Sequence, residues 1–422
     1  MADPRIDAVD TEHDAGYRRL LQFQGVPLVM ASSVLARLPN GMTSVLIVLL
    51  VNRSAGSFVL AGLAVAANSI GYAGVSPLFG KLADRGYTGQ VLVMVGVLQP
   101  VTTGLFVAAV TQRWSVPLCV ALAALTGATY PPIGAITRAS WGRMLPGHLH
   151  RVAYGTEAML TETIYIVGPL LAMLAVLVSG PGLGLVVGAG CVAIGSILLA
   201  FTPGLRSLGA ASSSARAGAA SMWTVGSAAV LAVSTGMGVA FGVLEVCIPA
   251  FASGFPRGEV LSAVLLAVWS SASVIGGVVY LRLKIGASAQ TQLLVLVLGN
   301  ALGFAVLGLA GAPVVLGILL FVGGLLMAPA ATAEMSVVGV VATPGRTTET
   351  FTWLNTGAYI GGAAGSAAAG VLIETVGIRA TMSLSAAFAL IAVAAAAASV
   401  AVRHRTPAHH ADKVNAEKGC TP

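Results

Sequence analysis

The sequence predicts an all-α membrane protein with twelve transmembrane helices in two six-helix bundles. The first observation is composition: 57% of the 422 residues are hydrophobic, only 9% are charged, and the mean hydropathy is +0.91. Soluble domains carry about 25% charged residues, so this composition excludes a water-soluble globule and a disordered chain. The second observation is a series of long apolar runs, and the third is an internal repeat.

Polar residues separate twelve apolar runs, each about as long as the 20 residues that a helix needs to cross the bilayer. Strands of a membrane barrel would instead show about ten residues of alternating polarity, so we expect helices. The predicted spans are residues 27–52, 58–80, 90–111, 116–137, 152–178, 182–201, 224–251, 258–281, 290–310, 313–337, 348–373 and 378–402.

The Lys and Arg residues predict the orientation of the spans. Twelve spans place both termini on one side, and basic residues concentrate in cytoplasmic loops. With the N-terminus inside, Arg37 lies within the first span, and only four of the 22 Lys and Arg residues fall outside. These four are Arg53, Arg113, Arg257 and Arg379. We therefore expect cytoplasmic termini in a bacterial cell membrane. Because the Lys and Arg residues are distributed as membrane topology predicts, we expect no nucleic-acid partner.

Cysteine and histidine give no indication of a metal site or a cofactor. Cys119, Cys191 and Cys247 lie in apolar runs and Cys420 in the C-terminal tail, without the spacing of metal ligands. All six histidines fall in predicted tails or loops, which argues against a histidine proton relay in the bilayer. An embedded enzyme would need clustered acids, a metal set or a nucleophile with a base. None is evident, so we expect no enzymatic activity.

The chain contains an internal repeat. The segment GATYP at 127–131 in the fourth run resembles GLLMAP at 324–329 in the tenth, about 198 residues later, and Pro146 and Pro344 follow at the same shift. Such repeats are typical of transporters whose substrate site lies between the two halves. The predicted organisation is an N-terminal tail over 1–24, a six-helix bundle over 25–202, a cytoplasmic linker over 203–222, a second bundle over 223–402 and a C-terminal tail over 403–422.

The loop after the second span carries a motif. The segment GKLADR at 80–85 resembles the G-x-L-A-D-R signature of the major facilitator superfamily, and the resemblance extends over nearly all of the predicted membrane region. Gly80 permits close helix approach, and Asp84 supplies an anion that can cap a helix N-terminus. The resemblance implies that Gly80, Asp84 and Arg85 belong to a cytoplasmic latch that helps hold an outward-facing state. Residues 86–90 depart from the family's pattern.

The fifth span partly matches a pattern of the superfamily's exporter branch, in which spaced glycines precede a Gly-Pro pair. Gly155, Gly168 and Pro169 match this pattern, whereas Ile164 and the pair at 172–173 replace expected glycines. Proline within a membrane helix is tolerated because neighbouring groups satisfy the freed carbonyl. The match implies an exporter, and an ordinary kinked packing helix is the alternative.

Few ionisable residues lie inside the predicted spans, and each is a candidate for proton coupling. They are Arg37, Glu157, Glu162, Glu245 and Glu334. A charged residue at a helix centre costs about 2.5–3.5 kcal/mol on insertion scales, so it needs a partner or a wet cavity. The family's proton-linked exporters often carry an Arg midway along the fourth span. Here Arg138 lies at the end of that span, which leaves proton coupling open.

Glu162 is the first candidate for proton binding. Arg37 and Glu162 each lie about ten residues, or ~15 Å, beyond the cytoplasmic starts of their predicted spans, so we expect them to form an ion pair. Desolvation raises the pKa of a carboxyl group and a nearby Arg lowers it, so the proton affinity of Glu162 could be switched. A static ion pair is the alternative. Glu157 is rotated by about 140° from Glu162. Its expected partner is Arg138, Arg143 or Arg151.

Other side chains are candidates for the substrate. Glu245 and Glu334 could bind a second proton or a cationic substrate, and hydrogen-bonded glutamates without either role are the alternative. The polar and aromatic candidates for a substrate cavity are Asn68, Gln99, Tyr165, Trp269, Asn355 and Tyr359. Each of these could instead be a packing residue.

The sequence thus predicts a secondary transporter that exports a hydrophobic or amphipathic small molecule by alternating access, with proton antiport left open. The alternative is an uptake permease or proton symporter for a small solute such as a sugar. A sugar site usually needs many hydrogen-bonding side chains, which are scarce in these spans. We expect a monomer whose partners are a small-molecule substrate, protons and the lipid bilayer.

Overall fold

The structure is a computed structural model, and it describes residues 19–56, 58–202, 205, 223–283 and 285–405. Most of the predicted tails over 1–24 and 403–422, and nearly all of the predicted linker over 203–222, lie outside the described residues. Within the described part the chain is helical and forms no β-strand. This confirms the predicted all-α fold class.

The helices account for the predicted spans. Eleven helical stretches of the described chain are long and apolar enough to cross a membrane. One of them, Leu60–Thr111, has 52 residues and supplies two crossings, because a turn at Ala83–Tyr87 with Gly86 at φ 93° divides it. In chain order the helices are Val26–Arg37, Asn40–Ala55, Phe58–Leu82, Thr88–Thr111, Val116–Ala128, Ile133–Met144, Gly147–Ser179, Pro181–Phe201, Val225–Ala252, Gly258–Arg282, Ala289–Ala305, Pro313–Gly324, Met327–Val341, Thr347–Val376 and Ile378–Arg405.

Three spans are built from two helices each. The first span breaks at Leu38 and Pro39, the fourth over 129–132, and the tenth at Leu325 and Leu326. In the fourth span the break contains Pro131 and Pro132, which lack an N–H group and clash with a continuing helix. The breaks of the fourth and tenth spans coincide with the two segments of the internal repeat. The repeated sequence therefore marks a repeated interruption of the backbone.

Glycines bring helices into close contact within each half of the chain. In the first half, Gly41 of the first span packs against Gly168 of the fifth, where a Cβ on Gly41 would lie 2.9 Å from the Gly168 Cα. In the second half, Gly238 and Gly242 of the seventh span pack against the backbone of the eleventh. Membrane helices often associate through such small residues because the backbones can approach closely.

We expect the substitution Gly168→Ala to destabilise the protein by about 1–3 kcal/mol, the usual cost of overpacking. The added methyl group would meet the Gly41 backbone, which cannot move aside as a flexible side chain can. The matched control is Gly62→Ala, where the methyl group meets nothing within 4 Å. Thermal melting of the purified protein in detergent compares the two. Equal melting temperatures would show that the two helices are not in this contact.

Candidate functional site between the two halves

The candidate site lies where the two halves of the described chain meet. The second, fourth and fifth spans contact the eighth, tenth and eleventh. We call the end of the molecule that carries residues 80–87 the latch end. The contacts described below run from this end to about the middle of the spans.

At the latch end, Asp84 caps a helix of the other half. Its Oδ1 accepts a hydrogen bond from the backbone N–H of Thr348 at 3.0 Å, and its Oδ2 accepts one from Glu349 at 2.7 Å. These donors belong to the first turn of the helix Thr347–Val376, where a carboxylate is favoured by the helix dipole. Burial raises the pKa of Asp84, whereas the two backbone donors and Arg143, 3.6 Å away, act in the opposite direction.

The other two motif residues differ in their surroundings. A Cβ on Gly80 would lie 2.5 Å from the Thr352 Oγ1 and 3.1 Å from the Glu349 Cα, so glycine is required for this approach. Arg85 is exposed, and it makes no ion pair with any residue that the structure describes. Its expected place in the latch is therefore not supported. The cation beside Asp84 is Arg143, which approaches from the end of the fourth span.

A second contact at the latch end was not predicted. Arg151 donates hydrogen bonds to the carbonyl oxygens of Leu283 at 2.8 Å and Tyr280 at 2.5 Å, and its guanidinium lies 4.4 Å from the centre of the Tyr280 ring. These carbonyls end the helix Gly258–Arg282, where a cation is favoured. Asp84 and Arg151 thus each cap a helix end of the other half with the charge that the end prefers. The predicted fifth span began at residue 152, which left Arg151 in a loop.

Near the middle of the spans, Arg37 pairs with Glu157. The Nη1–Oε2 distance is 2.5 Å, both side chains are buried, and Nη2 donates to the Thr161 hydroxyl. The predicted Arg37–Glu162 pair is therefore wrong. The ion-pair partner of Glu157 is Arg37 and none of its predicted partners, although Arg138 lies within electrostatic range of Glu157. The fifth span's helix begins at Gly147, five residues before its predicted start. Counted from the observed helix starts, Arg37 and Glu157 are the residues that lie at matching depth.

Arg138 belongs to the interface between the halves, although the sequence placed it at the end of the fourth span. The helix Ile133–Met144 extends that span, and Arg138 within it is only 8% exposed. Its Nη1 donates to the Asn355 Oδ1 at 3.2 Å, and its guanidinium lies 5.9 Å from the centre of the Phe351 ring. Both partners belong to the eleventh span. Arg138 therefore links the halves.

Four of the eight tyrosines of the chain form a group that we call the tyrosine layer: Tyr72, Tyr130, Tyr165 and Tyr359. The Tyr72 ring makes edge contacts with Tyr130 at 5.8 Å and with Tyr359 at 5.4 Å, measured between ring centres. Tyr165 and Tyr359 lie within electrostatic range of each other. Tyr165 is 48% exposed and Tyr359 is 40% exposed. The layer therefore joins both halves, and two of its four members are exposed.

Glu162 faces the other half without a guanidinium partner among the described residues. Its carboxylate faces the hydroxyl of Ser273 on the eighth span, and that oxygen accepts a hydrogen bond from the Ala328 N–H at 3.1 Å. The same face of the fifth span carries Gly155, which packs on Leu281. Glu162 thus contacts a neutral group across the interface.

The two glutamates of the second half have different surroundings. Glu334 on the tenth span faces the Ser234 hydroxyl and lies within electrostatic range of Arg138. Its Oε1 and the Arg138 Nε are buried without a hydrogen-bond partner in the described part of the chain. Glu245 on the seventh span is exposed and lies within electrostatic range of Tyr165.

Three candidates for a cavity between the halves pack inside one half instead. The amide of Asn68 donates to the Thr126 hydroxyl at 2.9 Å, and the amide of Gln99 lies 2.8 Å from the Thr129 hydroxyl. Trp269 is 5% exposed, with its ring 5.8 Å from that of Phe241. A polar group in a membrane span needs a partner, and neighbouring helices of the same half supply it. The described residues also contain no group of three or more His, Cys, Asp and Glu side chains that could hold a metal ion.

Solved structures of transporters resemble this chain over most of its length. A bacterial homologue of the iron transporter ferroportin, in an outward-facing state, superimposes with a TM-score of 0.69 at 14% identity, covering 89% of this chain and 99% of that chain. The human organic anion transporter TETRAN gives 0.67 at 14% identity, covering 90% and 99%. The fucose:proton symporter of E. coli gives 0.67 at 14% identity, covering 88% and 98%. No family model and no curated protein sequence matches the chain.

Proposed function

The chain has the fold of the major facilitator superfamily transporters, and from this fold we propose that it is an exporter of a hydrophobic or amphipathic small molecule that works by alternating access. The observation that carries the proposal is the way the halves are joined. Asp84 and Arg151 connect them through hydrogen bonds to helix ends, and such contacts can break and reform. In this proposal the latch end is cytoplasmic, as the loop charges predict.

The distribution of contacts supports an outward-facing state. The halves are joined from the latch end to the tyrosine layer, while Tyr165 and Tyr359 of that layer and Glu245 beyond it are exposed. A transporter closed on one side and open on the other has this arrangement. The opposite state would require Asp84 and Arg151 to leave their helix ends.

The chemistry between the halves favours an amphipathic substrate over a sugar. Among the candidate residues that the structure describes, the exposed groups there are the rings of Tyr165 and Tyr359 and the carboxylate of Glu245, whereas a sugar site needs hydrogen-bonding groups for many hydroxyls. Asn68 and Gln99, which could serve a sugar, are occupied inside the first half. Uptake of a small solute is the alternative, and it has the fucose symporter among its structural neighbours.

Glu162 is the residue that we propose for proton coupling. It faces the other half across the interface, and its partner there is a hydroxyl rather than a guanidinium. A carboxylate paired with Arg would stay ionised, whereas a carboxylate beside a hydroxyl can gain and lose a proton as the halves separate. Export coupled to this step would be proton antiport.

Flux into inverted membrane vesicles tests the proposal with a panel of lipophilic dyes and antibiotics, with and without a proton gradient. We expect gradient-driven accumulation by the wild type. Glu162→Gln should lose accumulation but keep substrate exchange, because exchange needs no net proton movement. The control Glu374→Gln changes an exposed acid outside the interface and should leave both intact. Gradient-independent flux would contradict antiport, and accumulation only in right-side-out vesicles would favour uptake.

A further inference from the structure

Glu245 is the exposed charge in the middle of the interface. Two guanidinium groups and four carboxylates of the described chain lie there. Arg37 is paired with Glu157, and Arg138 is buried against Asn355 and Phe351. The carboxylates of Glu157, Glu162 and Glu334 belong to buried or partly buried residues, whereas Glu245 is exposed. A molecule that enters from the open side therefore meets a negative charge, while both guanidinium groups are buried.

Helix geometry places Glu245 on the face of the seventh span that looks between the eighth and eleventh spans. Phe241, four residues earlier and about 40° away around the helix, packs on Trp269 of the eighth span. Gly238, seven residues earlier and about 20° away on the other side, packs on Ala358 of the eleventh. Tyr165, which belongs to the other half, lies within electrostatic range of the Glu245 carboxylate. Glu245 therefore faces the space between the halves and not the lipid.

The depth of Glu245 follows from the contacts between the seventh and eleventh spans, which run in the same direction. These contacts join residues 120 to 126 apart in sequence, from Gly242 with Gly362 to Val239 with Gly365. Glu245 therefore lies level with residues 365–371, which are six to twelve residues beyond Tyr359, or about 9–18 Å at 1.5 Å per residue. Glu245 thus lies about two to three helical turns beyond the tyrosine layer, on the side away from the latch end.

We propose that Tyr165, Tyr359 and Glu245 form a binding site for a monovalent organic cation with apolar substituents. Ring faces attract cations through their quadrupole, and the carboxylate supplies the opposite charge at a distance that an amphipathic molecule can span. The inference rests on the proposed export function and names its class of substrate. An organic anion would meet Glu245 first and would find both guanidinium groups buried.

Two ions of nearly equal shape and opposite charge provide the test: tetraphenylphosphonium and tetraphenylborate. Calorimetric titration of the full chain in detergent, with empty micelles as the blank, measures the binding of each ion. We expect saturable binding of the phosphonium cation and none of the borate anion. Equal binding of both ions, binding of the borate alone or binding of neither ion would overturn the proposal.

Variants locate the binding. Glu245→Gln should weaken phosphonium binding about tenfold, as loss of one opposite charge at several ångströms implies, and Glu374→Gln should not change it. Tyr165→Phe keeps the ring and should bind nearly as the wild type, whereas Tyr165→Leu should bind more weakly. Unchanged binding in Glu245→Gln and Tyr165→Leu would overturn the site. Because these titrations need no transport, loss of flux alone would count against the export proposal and not against the site.

Discussion

Replacing Glu157 by glutamine should destabilise the protein by about 3–5 kcal/mol, which is the usual cost of removing one partner from a buried ion pair. The change leaves the Arg37 guanidinium charged and 6% exposed, with the Thr161 hydroxyl as its remaining partner. Thermal melting in detergent and the yield of monodisperse protein would report the loss. We expect this to be the most damaging single substitution among the carboxylates of the spans.

Two further variants show whether the effect comes from the pair. The double substitution Arg37→Met with Glu157→Leu should recover most of the stability, because apolar residues of similar size replace a buried pair with little loss. Glu162→Gln should melt close to the wild type, since Glu162 faces a hydroxyl. If Glu162→Gln were the damaging variant and Glu157→Gln were mild, the observed pairing would be contradicted.

Replacing Asp84 by alanine should shift the protein away from the state that is closed at the latch end. Loss of a helix N-cap costs about 1–2 kcal/mol, and that amount changes a two-state ratio about 5- to 30-fold. Thr352 lies beneath the contact and is fully buried, so a cysteine introduced by Thr352→Cys reports its opening. In a background without the native cysteines, its reaction with an impermeant maleimide should accelerate when Asp84→Ala is added.

The motif itself offers the control for this experiment. Arg85→Ala changes an exposed residue that does not enter the contact, so it should leave the maleimide rate unchanged. Arg151→Gln should accelerate the reaction on its own, because it releases the helix end at Leu283. A rate that responds to Arg85→Ala and not to Asp84→Ala would contradict the observed latch.

The spans were predictable from the sequence because the bilayer imposes a length and an apolar composition that the chain must satisfy. The boundaries of the fourth and fifth spans were not predictable from the sequence. His148, His150 and Arg151 continue the fifth helix beyond its apolar stretch, and a hydropathy pattern interprets such residues as a loop. Because the predicted start of the fifth span lay five residues too late, Glu162 rather than Glu157 was predicted to lie at the depth of Arg37. Arg138 was placed at the end of the fourth span because the helix Ile133–Met144 likewise continues beyond the apolar stretch.

The composition of the candidate site was less predictable than its location. The internal repeat indicated a site between the halves, and Tyr165, Asn355 and Tyr359 were recognised as candidates. Asn68 and Gln99 were indistinguishable from them in sequence, because a polar residue in an apolar span has the same pattern whether it faces a neighbour or a cavity. Tyr72 and Tyr130 join the layer from separate spans, and no local spacing in the sequence indicates that they meet.

The interruption of the fourth span has a mechanical consequence. Bending an intact helix at its middle breaks backbone hydrogen bonds. Over 129–132 some of these hydrogen bonds are already missing, because Pro131 and Pro132 have no N–H group to donate. The segment Ile133–Met144 can therefore tilt about this joint without losing the backbone hydrogen bonds that an intact helix would have there. It carries Arg138, which touches the other half, and Arg143, which pairs with Asp84, so both charges can move while the rest of the first half stays still.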